Sequence, residues 1–260
     1  MRILVCVKHV PDLQLERSFT DGRMTRGADD GMNDLDAHAV EAAVRLVEEH
    51  GGEVIALTVG GPDSVAAVRK ALQLGATRAI RVTDDAIAGS DVFGTARVLA
   101  AAARALHGDE PVDLIVTGMA SLDGLTSMLP AALAAELGWP QLTLASSLAV
   151  AEGTARIERH LPEARETLEA ALPAVVSVTD EANKPRYPNF KAIVAARSAE
   201  VGVWDLADLG LEPSSVGAAG SRTRVLSATL RPERSGRRIV NDTGEGGAML
   251  AAFLVERGFA

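Results

Sequence analysis

The sequence is poor in several residue types, and each scarcity excludes a class of protein. One cysteine, Cys6, stands among 260 residues, so neither an internal disulfide framework nor a cysteine-based zinc site is available. Basic residues number 26 against 35 acidic ones, a net charge of −9, which argues against a nucleic-acid-binding protein. No apolar run reaches the roughly 18 residues of a membrane helix, and the first residues lack the features of a signal peptide. We therefore expect a cytoplasmic protein with no direct membrane insertion.

Familiar catalytic motifs are also missing from the chain. Its five histidines show neither the i, i+4 spacing nor the His-x-His arrangement of a metal site. There is no G-x-S-x-G nucleophile elbow and no G-x-x-x-x-G-K-[ST] phosphate loop. Lys8 and Pro11 stand where a G-x-G-x-x-G dinucleotide loop would be expected after the first strand. We predict no catalytic residues and no metal site.

Short apolar runs alternate with helical patterns in the first half of the chain. Strands are predicted over residues 3–7, 54–59, 79–82 and 114–117, and helices over 36–49, 62–74, 91–106 and from just after Asp123 to Leu137. Strands that are apolar throughout and alternate with helices indicate a parallel sheet that is covered on both faces. The predicted fold is therefore α/β, with a doubly wound and mostly parallel sheet. Ligands of such sheets bind beyond the carboxyl ends of the strands, here in the loops after Val7, Val59 and Thr117.

The pattern changes after residue 140. Strands over 144–150, 154–160 and 167–171 predict a small antiparallel extension, followed by another apolar strand over 174–178 and an irregular loop over 180–192. Residues 212–238 show no core pattern, and a short amphipathic helix is expected over 248–257. We divide the chain into an α/β nucleotide-binding domain, residues 1–200, and a C-terminal extension, residues 201–260. The composition alone allows either an arm that embraces a partner or a flexible tail.

The loop after the fourth strand is the best local candidate for a ligand site. Small and hydroxylic residues, among them Thr126 and Ser127, follow the strand and lead into a predicted helix. Free backbone N–H groups at a helix start and nearby hydroxyls suit a phosphate. The alternative is that Ser121 or Asp123 only caps the helix.

A second candidate is the segment of residues 182–191. It holds the only tyrosine of the chain, Tyr187, together with Phe190, two prolines and three basic residues. Tyrosine and arginine are favoured anchors at interfaces, so the segment is typical of a docking element. The alternative is an ordinary crossover loop in which Tyr187 packs locally.

Both segments lie within a wider resemblance to a known family. Nearly from end to end, the chain resembles the β subunit of electron transfer flavoproteins. The resemblance is carried by residues 5–12, 32–33, 39–46, 69–72, 74–76, 120–124 and 137–141. Its most specific part is Leu-Pro-Ala-Val-Val-Ser-Val at 172–178, followed by Asn-Lys-Pro-Arg-Tyr-Pro at 183–188.

This resemblance implies a fold, a function and a set of partners. The fold is adenine-nucleotide α-hydrolase-like, and the protein is an electron carrier subunit rather than an enzyme. The family's β subunit pairs with an α subunit that holds most of one FAD, and it buries a structural AMP. The heterodimer accepts electrons from acyl-CoA dehydrogenases and other dehydrogenases and passes them to a quinone oxidoreductase. Residues 201–260 would then wrap the partner subunit.

The resemblance also assigns residues to the two sites. The family's AMP positions fall on Cys6, Asn33, Val59, Asp123, Gly124, Leu125, Thr126, Ser127 and Met128. Its partner-docking loop falls on Arg186, Tyr187, Pro188, Asn189, Phe190 and Lys191. Within that loop Phe190 matches the apolar anchor, while Lys184, Arg186 and Lys191 are expected to steer acidic partners.

Three alternatives remain at this point. Some relatives bind a second FAD where others hold AMP, and the sequence does not decide between the two. An adenine-nucleotide-binding regulatory module of the stress-protein type shares the sheet architecture and would exchange ATP without an α partner. The third alternative is an adenylating enzyme of related fold, which would need a Gly-rich loop after the first strand, and this sequence lacks that loop.

Overall fold

A seven-stranded parallel sheet forms the centre of the computed structural model, which describes residues 1–12, 18–20, 22–27, 29–230, 232 and 239–259. Within those ranges the strands are β1 (Arg2–Cys6), β2 (His9–Val10), β3 (Phe19–Thr20), β4 (Arg23–Met24), β5 (Gly31–Met32), β6 (Glu53–Val59), β7 (Arg78–Val82), β8 (Leu114–Gly118), β9 (Gln141–Ala145), β10 (Ser147–Ala151), β11 (Thr154–Leu161), β12 (Ala164–Ala171), β13 (Ala174–Val178) and β14 (Gly202–Trp204). The central sheet has the order β14-β7-β6-β1-β8-β13-β9, and all its pairs are parallel.

Helices cover both faces of this sheet. In the same described ranges they are α1 (Asp34–His50), α2 (Val65–Gln73), α3 (Val92–Asp109), α4 (Leu129–Leu137), α5 (Phe190–Ser198), α6 (Gly217–Gly220) and α7 (Gly246–Glu256). Ile3 and Val5 of β1 belong to the core cluster that includes α1 and α2. Leu4 and Cys6, on the opposite face of the strand, belong to the cluster that includes α3 and α4. This two-sided burial of a parallel sheet confirms the predicted α/β fold class.

The predicted antiparallel extension is present, but the bounds predicted for its first strand are wrong. The expected strand over 144–150 is two strands, β9 and β10, separated at Ser146. β9 pairs with β13 in the central sheet, whereas β10, β11 and β12 form a separate antiparallel sheet. Leu144 adopts the left-handed φ of 61°, which interrupts a regular extended backbone. Two serines, Ser146 and Ser147, stand at the break. The prediction passed over this polar interruption because apolar residues lie on both sides of it.

Helix boundaries after β8 and β13 also differ from the prediction. The helix expected just after Asp123 begins instead at Leu129, because Leu125 and Ser127 have left-handed φ values of 50° and 51° that a right-handed helix cannot contain. The irregular loop predicted over 180–192 is shorter than expected, since α5 begins at Phe190.

The chain divides into two compact units, residues 1–228 and residues 229–260. Residues 201–228 pack in the first unit, where β14 pairs with β7 and Val216 is fully buried. The second unit contains α7, close to the helix predicted over 248–257. No helix in the described part of the chain is long and apolar enough to cross a membrane.

Candidate functional site

The order in which the chain adds strands to the sheet changes side next to β1. From β1 the chain passes to β6 and β7 on one side, crosses to β8, β9 and β13 on the other side, and finally returns to add β14 beside β7. In such sheets the crevice beyond the carboxyl ends of the strands at this switch point is where ligands bind. Lys8 follows β1 at that point, and residues 119–128, here called the β8 loop, follow β8.

Asp123 of the β8 loop lies at the centre of a charged cluster. Its Oδ1 accepts a hydrogen bond from Lys8 Nζ at 2.8 Å, and its other oxygen pairs with Arg26. Lys8 Nζ also lies 3.2 Å from Ser121 Oγ. Burial alone would raise the pKa of Asp123, but Lys8, Ser121 and Arg26 lower it to about 2. Lys8 and Arg26 thus place two cations beside the carboxylate of Asp123, an arrangement that suits an anionic ligand nearby.

Asp123 therefore does not cap a helix. The residue that precedes α4 is Met128, and Asp123 lies in a turn closed by bonds from Gly124 N and Leu125 N to Ser121 O, at 3.2 and 2.8 Å. The alternative in which Ser121 or Asp123 only caps the predicted helix is wrong.

The backbone of residues 124–128 is exposed and unusually shaped. Leu125 and Ser127 lie in the left-handed region, which non-glycine residues rarely occupy and which tends to occur at functional sites. Across the described ranges, the N–H groups of Thr126, Ser127 and Met128 find no protein acceptor. Consecutive free N–H groups in an alternating backbone conformation form an anion-binding concavity.

Asn33 holds the β8 loop against the start of α1. Its fully buried side chain donates through Nδ2 to Asp36 Oδ1 at 2.8 Å and to Ala120 O at 2.9 Å, and its Oδ1 accepts from Leu122 N at 3.0 Å. All three bonds are to the protein itself. The structure thus brings Asn33 to the predicted site, where its side chain positions the loop.

Asp36 is a second buried residue at this junction, and it was missed by sequence reasoning. Its Oδ2 accepts from Lys8 N at 2.8 Å, which ties α1 to the chain after β1. Burial raises the pKa of Asp36 to about 7, although hydrogen bonds from Asn33 and Lys8 oppose the rise. The only sequence signal was an acidic residue in the first turn of a helix, which usually means a favourable helix dipole.

Gly118 allows α1 to approach the end of β8. A Cβ atom at this position would lie 2.6 Å from Asp36 Oδ1 and 2.9 Å from Leu35 O. Only glycine fits this close contact, so the residue sets the position of the β8 loop that follows.

Cys6 and Val59 lie at the same edge of the sheet as the β8 loop. Cys6 is the last residue of β1 and is buried on the α3 side; burial, with the nearby Asp36 charge, raises the pKa of its thiol to about 12. Val59 ends β6 and packs against the same core cluster. A protonated, buried thiol contributes packing and not nucleophilic chemistry.

The second candidate site, predicted over residues 182–191, follows β13, and its residues 183–191 are here called the β13 segment. Tyr187 is 96% exposed and Phe190 is 81% exposed. The alternative in which Tyr187 packs locally is wrong. Asn189 Oδ1 accepts from Ala192 N at 2.9 Å and so caps α5, which places Phe190 at the first position of that helix.

Two contacts with α1 hold the base of the β13 segment. Asn183 Nδ2 donates to His38 O at 2.9 Å. Arg186 Nε donates to Glu41 Oε2 at 2.8 Å, and its Nη1 donates to Glu48 Oε1 at 2.6 Å. Arg186 therefore acts as a tether rather than as a free charge for steering.

Lys184 and Lys191 are the other two basic residues of the segment. Both side chains are exposed, and neither has an ion-pair partner among the residues that the structure describes. The segment thus displays two aromatic rings with a lysine on either side of them.

Comparison with known proteins gives consistent matches along the chain. Residues 23–209 match the family model described as electron transfer flavoprotein domain. The electron transfer flavoprotein subunit beta of Mycobacterium leprae is 40% identical over 261 residues, which is 97% of each chain. The caffeyl-CoA reductase-Etf complex subunit CarD of Acetobacterium woodii is 32% identical over 94% of this chain and 93% of its own. Protein FixA of Azorhizobium caulinodans is 34% identical over 96% of this chain and 93% of its own.

Proposed function

Because this chain belongs to the electron transfer flavoprotein family, as a β subunit, we propose that it carries electrons as half of a heterodimer with an α subunit. The proposed donors are acyl-CoA dehydrogenases and other dehydrogenases, and the proposed acceptor is a quinone oxidoreductase. The observation that carries this proposal is the pair Tyr187 and Phe190, whose side chains are 96% and 81% exposed.

The flavin supplies the redox chemistry of such a heterodimer, since a bound FAD takes up and releases the electrons. One FAD per heterodimer is proposed, held mostly by the α subunit. The contribution of this chain is to present a surface to the redox partners and to brace the complex.

The β13 segment has the properties of a transient docking surface. Tyr187 and Phe190 provide apolar contact area at low entropic cost, and Lys184 and Lys191 attract acidic partners over several ångströms. A small anchor with peripheral charges gives fast association and ready release, because long-range attraction speeds encounter more than it slows dissociation. An electron carrier that serves several donors needs this combination.

The β8 loop has the properties of a phosphate site for AMP. The free N–H groups of Thr126, Ser127 and Met128 and the hydroxyls of Thr126 and Ser127 provide donors, and Lys8 provides positive charge nearby. Cys6 and Val59 lie at the same sheet edge, where Val59 is partly exposed and offers apolar surface, whereas Cys6 is buried. The proposed role of AMP is structural, because the charged cluster contains no arrangement for bond making.

The second unit supports the proposed wrapping of the α subunit. Helix α7 is predominantly apolar, and Leu250 and Val255 on it are well exposed. Exposed apolar side chains in such density mark a protein interaction surface. We propose that the α subunit covers α7 in the heterodimer.

Purification of the chain co-expressed with its α subunit tests the proposal. We expect a yellow heterodimer with one FAD and, after denaturation and chromatography, one AMP. A second FAD in place of AMP would move the protein to the type with two flavins. A colourless homodimer that exchanges ATP would contradict the proposal and favour the stress-protein-type regulatory module.

A pair of lysine variants locates the nucleotide in the same preparation. Lys8→Met removes the cation beside the β8 loop and is expected to lower AMP content about tenfold, since a charge-assisted contact is worth roughly 1.5 kcal/mol or more. Lys70→Met, on the exposed surface of α2, is the control and should keep full occupancy. Equal AMP content in the two variants would contradict the assignment of the β8 loop.

A further inference from the structure

Helix α1 carries a buried carboxylate that neither proposed binding site uses directly. Glu41 lies on the second turn of α1, and its side chain is 5% exposed. A buried carboxylate is stable only when it is paired and hydrogen-bonded. The partners of Glu41 therefore show what it holds in place.

Most of those partners belong to the β13 segment. Glu41 Oε2 accepts from Arg186 N at 3.2 Å and from Arg186 Nε at 2.8 Å, and Oε1 lies 3.4 Å from Arg186 Nη2. Oε1 also accepts from Arg45 Nε at 2.6 Å, within α1 itself. Glu41 thus binds both the backbone and the side chain of one residue in the segment.

Because Glu41 binds the backbone N–H of Arg186 as well as its side chain, the contact also restricts the residues next to Arg186. Pro185 and Pro188 flank the contact, and each restricts φ of its own residue and the conformation of the residue before it. A fixed backbone at Arg186 therefore limits the directions in which Tyr187 and Phe190 can project. Tyr187 itself is almost wholly exposed and cannot hold the segment.

Glu48 is the second carboxylate on Arg186, but it differs from Glu41 in two respects. Its side chain is 58% exposed, and it binds only the guanidinium, with Nη1 to Oε1 at 2.6 Å and Nη2 to Oε2 at 3.0 Å. Exposed ion pairs contribute little, whereas loss of a buried partner leaves groups unsatisfied. The buried contact is the one expected to fix the segment.

We propose that Glu41 is a positioning residue that fixes the β13 segment in the conformation that displays Tyr187 and Phe190 to the electron donor. This inference rests on the proposed docking function of the segment. Glu41 acts through Arg186 and touches neither donor nor cofactor.

The test compares Glu41→Gln with Arg45→Gln in the purified α/β complex. Both variants remove one member of the Glu41–Arg45 pair on α1, but only Glu41→Gln removes the carboxylate that binds the β13 segment. The first measurement is the rate at which trypsin cleaves the Arg186–Tyr187 bond, followed by mass spectrometry. We expect about tenfold faster cleavage in Glu41→Gln, because cleavage follows the open population of the segment, and an unchanged rate in Arg45→Gln.

The second measurement separates positioning from general stability. For Glu41→Gln we expect a KM for a donor dehydrogenase that rises about tenfold, with flavin content and kcat unchanged. Glu41→Asp, which keeps the charge on a shorter side chain, should recover part of the protection. Arg186→Lys keeps a trypsin site but loses the planar guanidinium that binds Glu41, so we expect the same faster cleavage and higher KM as in Glu41→Gln. If Glu41→Gln fails to fold, Arg186→Lys replaces it in the test.

The outcomes distinguish this inference from the proposed function. Unchanged cleavage in both Glu41→Gln and Arg186→Lys overturns the inference, and so does equally fast cleavage in Arg45→Gln. Faster cleavage in Glu41→Gln with an unchanged KM supports the anchoring role of Glu41 and instead overturns the docking role of the segment.

Discussion

The β8 loop and the β13 segment emerge from neighbouring parallel strands at one edge of the sheet, and both are tied to α1. They differ in what they expose. The β8 loop exposes backbone N–H groups in a left-handed conformation, with its supporting residues Asn33 and Asp36 buried. The β13 segment exposes aromatic side chains, and its tether Arg186 is one third exposed.

This difference matches the lifetimes of the proposed ligands. A nucleotide that stays bound is held by donors whose positions are part of the fold, so changes there disturb stability and binding together. A redox partner that leaves after each encounter is met by side chains that the fold does not need, so changes there alter encounter alone. The comparison therefore predicts coupled effects in one region and separable effects in the other.

The largest expected effect comes from crowding the contact of Gly118 with Leu35 and Asp36 of α1, here called the junction below the β8 loop. In Gly118→Ala the new Cβ meets Asp36 Oδ1 at 2.6 Å and the backbone of Leu35 at 2.9 Å, so α1 must move away from β8. We expect a loss of about 3 kcal/mol in the free energy of unfolding, as is usual for overpacking a buried contact. AMP content should fall in parallel. Denaturant unfolding and nucleotide extraction measure the two quantities.

Gly108→Ala is the control for that substitution. Gly108 lies in α3, and a Cβ there meets no atom within 4 Å. Alanine in a helix is favourable by about 1 kcal/mol relative to glycine, so stability should stay level or rise. Normal AMP content in a destabilised Gly118→Ala protein would break the expected coupling between loop and fold.

A separable effect is expected from the β13 segment. Replacing Tyr187 and Phe190 together with serine removes both exposed rings, and we expect kcat/KM for a donor dehydrogenase to fall about 100-fold, because interface anchors cost about 2 kcal/mol or more when truncated. The free energy of unfolding should change by less than about 0.5 kcal/mol, since both side chains are exposed.

Val203→Ser provides the matched control for the aromatic pair. Val203 is an exposed apolar residue on β14 and lies outside the β13 segment. Its loss should leave electron uptake unchanged. If Val203→Ser slowed uptake as much as the double variant, general surface hydrophobicity rather than a defined anchor would account for docking.

The same two regions show how far sequence reasoning reaches. Apolar runs such as those of β1, β8 and β13 predicted the parallel sheet, because strands buried on both faces are mostly apolar along their length instead of alternating. The late start of α4 could not be predicted, since nothing local marks Leu125 and Ser127 as left-handed. The aromatic content of the β13 segment predicted a docking element, and the structure leaves its rings exposed.

Long-range polar contacts were the other limit. Arg186 is 145 residues from Glu41 in the sequence. The hydrophobic periodicity of a helix extends over a few helical turns, so it cannot predict a contact between residues so far apart. The sequence likewise indicates only that Asp36 is an acidic residue in the first turn of a helix. Its hydrogen bond from Lys8 N is seen only in the folded structure. The sequence and the family resemblance therefore pointed to both candidate segments and to Asn33. The supporting roles of Asp36 and Glu41 became visible only in the structure.

The smallest expected effect is a pH dependence that distinguishes the junction below the β8 loop from the rest of the molecule. Burial raises the pKa of Asp36 to about 7 in the folded protein, against about 3.9 for an unfolded aspartate. Between these values the folded state holds a proton that the unfolded chain has released, so stability falls as the pH rises. Relative to Asp36→Asn, the wild-type protein should lose about 2 kcal/mol between pH 5 and pH 7, at about 1.4 kcal/mol per pKa unit.

Denaturant unfolding of both proteins at pH 5, 6 and 7 measures this difference, because the contributions of all other titrating groups cancel in the comparison. A parallel pair of curves would show that the hydrogen bonds from Lys8 N and Asn33 Nδ2 keep Asp36 ionised throughout. A wild-type stability that falls relative to that of Asp36→Asn as the pH rises would show that the junction carries a proton at low pH. In that case AMP, which binds above this junction in our proposal, should dissociate more readily at the pH where Asp36 ionises, whereas docking through the β13 segment should show no such transition.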